Sequence, residues 1–204
     1  MRAEIDAIQA KSECFNMRVI GHHDLNGHGD GMQLLKQGRY VYLAHLGTSP
    51  MALSILDVGD PTEPQLITQI PHAPNTHSHK VQIVGDILIQ NQERPYFDKS
   101  VAASVPNEAG IKIYSIEKPA EPREIGNLKL PGKGVHRMWF TDGKYAHVGA
   151  VLPGIKERAY LIADISNPTN PREAGRWWIP GTKEGEETPA DWTPFEGEHF
   201  HVHG

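Results

Sequence analysis

Three stretches of this chain share one plan, and that plan limits the fold more than any other feature. They are ALSILDVGDPTEPQLITQI (52–70), GIKIYSIEKPAEPREIGNL (110–128) and AYLIADISNPTNPREAGRW (159–177). Each is an apolar β-type run, then a polar turn with paired prolines, then a second short run. The prolines are Pro61/Pro64, Pro119/Pro122 and Pro168/Pro171. A hairpin pattern precedes each copy: MQLLKQGRYVYLAH (32–45), VQIVGDILIQN (81–91) and HRMWFTDGKYAHVGA (136–150). Glycine at the tip (Gly38, Gly85, Gly143) supplies the positive φ of a tight turn between strands. Hairpin plus repeat gives four antiparallel strands per unit, the sequence signature of a β-propeller blade.

The expected fold class is therefore all-β, a β-propeller. About three to four four-stranded blades fit in residues 16–204, after an N-terminal helical or extended segment at 1–15. The segment FNMRVIGHHDL reads as an outer strand, and EHFHVHG as the start of a further blade. Closed propellers have at least four blades, and an open arc leaves strand edges unpaired. These blades are thus expected to be part of a six- or seven-bladed ring completed by a second polypeptide segment or subunit. Residues 92–110 and 180–198 read as long loops.

The runs LSILDVGDPTEP and YLIADISNPTNP resemble the repeat of the LVIVD-repeat β-propeller proteins, whose apolar run enters an Asp-containing turn. The middle copy departs from it: Ser115 and Glu117 stand where the others have Asp57/Gly59 and Asp164/Ser166. The resemblance implies the propeller fold and leaves the chemistry open.

Composition narrows the chemistry. A formal charge of −5 lacks the basic face a nucleic-acid partner requires. No apolar run approaches membrane-spanning length. The single cysteine, Cys14, forms no internal disulfide, so a reducing, cytoplasmic compartment is expected. No G-x-S-x-G, P-loop, C-x-x-C or dinucleotide fingerprint is present.

Histidine is the outlier, at 12 residues. With the blades aligned on their hairpin glycines, His79 and His136 fall at nearly equivalent places, His77 lies two before His79, and His199, His201 and His203 occupy the next blade. The corresponding place in the first blade is Gly31, near His28 and Asp30. Alternate residues of a strand share a face, so such a ring gathers imidazoles at one mouth of the channel. Imidazole ligates divalent transition metals, here zinc, iron, manganese or copper. The candidate metal ligands are His77, His79, His136, His199, His201, His203 and His23, the last in a second cluster with His22. Glu93 and Glu198 are the candidate proton-moving carboxylates. Arg94, Tyr96, Arg137 and Trp192 are candidates for holding a small-molecule substrate. His45, His72 and His147 read as structural, and Trp139, Trp177 and Trp178 as core between blades.

The expected function is metal-dependent cleavage of a small organic molecule, by hydrolysis or a lyase reaction. A metal-dependent oxidase is one alternative; propellers of the selenium-binding/methanethiol oxidase family are similar in outline. A non-catalytic binding or scaffold propeller is the other.

Overall fold

The computed structural model describes residues 2–11, 15–95, 106–187, 189, 202 and 203. Helix α1 (Arg2–Lys11) comes first. Among the described residues twelve strands follow, in three antiparallel four-stranded sheets, each taking its strands in sequence order. The first blade holds β1 (Gly31–Gln37), β2 (Tyr40–His45), β3 (Met51–Asp57) and β4 (Gln65–Pro71). The second holds β5 (Val81–Val84), β6 (Ile87–Gln92), β7 (Gly110–Ser115) and β8 (Arg123–Lys129). The third holds β9 (Gly134–Phe140), β10 (Tyr145–Val151), β11 (Arg158–Asp164) and β12 (Arg172–Trp177). These are blades of a β-propeller. The first strand of the second blade, β5, touches β1 on one side and β9 on the other, so the three leading strands adjoin.

Local chemistry explains the repeat. Gly38, Gly85 and Gly143 turn the β1–β2, β5–β6 and β9–β10 hairpins with φ of +58°, +57° and +73°. The paired prolines sit in the β3–β4, β7–β8 and β11–β12 connections, where a missing N–H costs no ladder bond. Asp57 closes the first such turn by accepting the Gly59 N–H at 2.8 Å and pairing with Arg39. Asp164 repeats this with the Ser166 N–H and Arg172. Ser115 has no carboxylate for this purpose, yet the middle blade keeps the same strand order.

Packing between blades holds the array. Strand β10 alternates: Ala146, Val148 and Ala150 face the second blade and meet Ile89, Ile111 and Ile113. The first and second blades bury Tyr42, Leu53 and Ile55 against Val81, Leu88 and Tyr114. Each such side chain contributes about 1.5–3 kcal/mol on leaving water. Leu25, in a turn of 3-10 helix (Leu25–Gly27), covers Val41 and Leu56 on the first blade's other face.

Two sequence expectations are corrected here. The segment FNMRVIGHHDL forms no strand; it crosses the first blade and ends in the turn that seats Leu25. Trp139 and Trp177 are not core: they are 60% and 53% exposed, on the face of the third blade turned away from the second. Alternation places them there, because Met138 and Phe140 take the buried side of β9. Trp178 does pack against the core.

Candidate metal centre

The site lies where the second blade begins. Beyond the β5–β6 ladder, His77 and Glu93 pair as an isolated bridge, with the His77 N–H donating to Glu93 O (2.8 Å) and the Glu93 N–H to His77 O (3.0 Å). His77 to Val81 spans one residue more than Gln90 to Glu93, so the chain bulges at Ser78–Lys80. Glu93 also bridges to Gly134 of the third blade. That approach needs glycine: φ is +90°, and a Cβ on Gly134 would lie 2.2 Å from the Gln92 carbonyl oxygen.

A second bulge brings in His136. Gly149 opposes Arg137 and Ala150 opposes Val135, which leaves His136 outside the β9–β10 register. A bulge re-aims the side chain it frees. His136 therefore stands inside β9, two residues after the strand begins.

The side chains converge. The ligating atoms of His77, His79 and Glu93 lie within 4.8 Å of one another, and all three residues are buried. Glu93 Oε2 lies 2.9 Å from His136 Nδ1 and 3.2 Å from His77 Nε2. The rings of His77 and His79 are 4.9 Å apart, those of His79 and His136 5.0 Å, and those of His136 and His203 5.5 Å.

Asn91 fixes His79. Its Oδ1 accepts the N–H groups of His79 (2.9 Å) and Lys80 (2.7 Å), while its Nδ2 donates to the Val135 carbonyl (2.8 Å) and lies 3.2 Å from His79 Nδ1. Gln92 adds a bond from Nε2 to Ser78 Oγ at 2.8 Å. The sequence reading missed both residues. Their signal was the polar run Gln90–Glu93 closing an apolar strand, where another blade has Leu43, Ala44 and His45.

The electrostatics suit a cation. Burial alone would raise the Glu93 carboxyl; hydrogen bonds and charge from His136 and His77 outweigh it and hold the group at about 2. Burial, then repulsion from His77, pushes His79 down to about 3. At neutral pH the site thus offers an ionised carboxylate and a neutral imidazole, the forms that ligate metals. A carboxylate so acidic is a weak base, which favours a ligating over a proton-moving Glu93.

The remaining candidates make other contacts or fall outside the described residues. His23 Nδ1 accepts the Leu25 N–H at 2.9 Å, and His22 pairs with Glu4 at 3.3 Å. Arg94 bonds through its N–H to the Lys133 carbonyl. Arg137 lines a cavity beside the cluster. Glu198, His199, His201, Tyr96 and Trp192 lie outside the described residues. His45 is structural, held between Asp30 and Ser54 at 2.7 Å each. His147 lies 2.5 Å from the Tyr160 hydroxyl. Both ring nitrogens of His72 are buried with no hydrogen-bond partner, and burial, then repulsion from His77, lowers its pKa to about 4.

Fold and site together define a β-propeller with a buried group of histidines and a carboxylate that can hold a metal ion. Residues 28–70 and 141–178 match the LVIVD repeat family, so the first blade and most of the third are LVIVD repeats. The matches skip the second blade, whose turn lacks the aspartate and whose leading segment carries the cluster. No curated protein matches the chain. No helix among the described residues is long and apolar enough to cross a membrane.

Proposed function

We propose that this propeller is a metal-dependent enzyme that cleaves a small organic molecule, by hydrolysis or as a lyase, with a divalent metal on His77, His79 and Glu93. The convergence of these three buried groups within 4.8 Å carries the reading. His136, bonded to Glu93, orients the carboxylate as outer partners of metal ligands do. Bound there, a divalent ion supplies Lewis-acid polarisation of a carbonyl or an activated water. The chain's own part is to hold the ligands: Asn91 locks the backbone of His79, and burial keeps its imidazole neutral. Glu198 is retained as the candidate base.

The donor set favours one alternative. Two histidines and a carboxylate also form the facial triad of non-haem iron oxygenases, so iron would redirect the reading to oxidation. Cobalt(II) titration of metal-free protein tests the site. The expected result is one equivalent bound with visible ligand-field bands, lost in His79→Ala. Unaltered binding in that variant would move the metal elsewhere.

A further inference from the structure

A cavity of about 570 Å³ adjoins the cluster. His203 belongs to both, and the cavity residues Lys80 and Arg137 directly follow His79 and His136. That volume falls in the range of small-molecule sites, roughly 300–1,000 Å³. Its wall is largely apolar, from Met138, Trp139, Val148 and Tyr160, and among the described residues no acidic one lines it. Lys80 is only 7% exposed. Among the described residues neither Lys80 nor Arg137 pairs with a carboxylate, and Arg137 Nε is buried without a hydrogen-bond partner. Two uncompensated cations in one largely apolar pocket are costly. In a chain of net charge −5 they do not reflect a general excess of base.

We propose that this cavity binds a small organic acid, its carboxylate held by Lys80 and Arg137 and its apolar body set against Met138, Trp139 and Tyr160. The guanidinium fork suits a carboxylate, and the ammonium adds a point charge. The inference names the substrate class for the metal-dependent reading above and rests on that reading for what the ligand is bound for. Its occupancy is measurable without metal.

The test is calorimetric titration of metal-free protein, dialysed against a chelating resin, with benzoate, phenylacetate and succinate. At least one acid should bind, and benzoate should bind far better than benzamide, which has the same shape without the charge. Arg137→Gln and Lys80→Met should each weaken the binding about tenfold or more; Arg137→Lys, which keeps the charge without the fork, should fall between Arg137→Gln and the natural protein. Lys80→Met should also raise the thermal midpoint without ligand, because a buried unpaired charge is removed. Three outcomes overturn the proposal: no acid binding, benzamide binding as well as benzoate, or inorganic phosphate binding more tightly than any of the acids. Loss of cobalt binding in His79→Ala with benzoate binding intact separates the two sites. Intact cobalt binding with no acid binding removes this inference alone.

Discussion

The first and second blades each set a carboxylate beside histidine near the start of the blade, half-buried as Asp30 and buried as Glu93, and they use it differently. Asp30 is saturated: His45 Nδ1 lies 2.7 Å from Oδ1, and Oδ2 accepts from the Gly47 N–H, the Thr48 hydroxyl and the Ser49 N–H. Glu93 Oε2 instead faces two imidazoles, His77 and His136, with His79 alongside. Burial tends to raise both carboxyls and hydrogen bonds hold both near 2, from backbone and hydroxyl donors together with His45 in one and from imidazoles in the other. Backbone donors have nothing to give a metal, whereas imidazoles do. The bulges repeat the contrast: the residue outside the register is Met32 in β1 and His136 in β9. A similar backbone device is structural in one blade and chemical in another because of the side chains it carries.

The largest effect should come from Gly134, which brings β9 against Glu93. Gly134→Val should cost about 3 kcal/mol or more in urea unfolding, from positive φ and the collision with Gln92. A small change would mean the bridge is not needed to place the site. Next come the two carboxylates. Asp30→Ala should destabilise by about 1–2 kcal/mol, since the buried His45 ring and three more exposed donors lose their acceptor, and leave cobalt affinity unchanged. Glu93→Gln should lower that affinity at least about tenfold. Equal effects of both substitutions on metal affinity would erase the contrast.

Acid sharpens it further. His72 and His79 are lowered on folding, so their contribution is complete above the unfolded value of 6.5 and is lost as pH falls toward about 4 and about 3. Asp30 and Glu93 are also lowered, so theirs is complete above 3.8 and 4.5 and is lost toward about 2. Calorimetry of the metal-free protein should show the midpoint falling through both windows. Asp30→Asn should flatten only the lower window and His72→Leu only the upper. A midpoint constant from pH 7 to 4 would contradict the buried neutral histidines. The smallest effect belongs to Ser54→Ala, which removes the bond to His45 Nε2 and should cost about 1 kcal/mol by the same unfolding measurement.

The blades were legible because their signals are local. Gly38, Gly85 and Gly143 mark hairpins a few residues long, and the paired prolines mark the last turn of each blade. Proximity of His77, His79, His136 and His203 followed from aligning those signals. The bulge that re-aims His136 breaks the period of two, so its facing was not legible from alternation. The placement of Glu93 by His77 and Gly134, and the Asn91 clamp, depend on pairings across a hairpin and between blades that no single stretch encodes. Trp139 and Trp177 read as core because apolar residues in strand patterns usually are; which face they occupy is set by the partners of Met138 and Phe140.

Elemental analysis of the purified protein beside a His77→Ala/His79→Ala variant tests the central claim most directly. The account predicts about one transition-metal ion per chain, absent from the double variant while that variant keeps its cooperative unfolding. A protein that takes up no transition metal even after loading, or a variant that keeps the full complement, would contradict it.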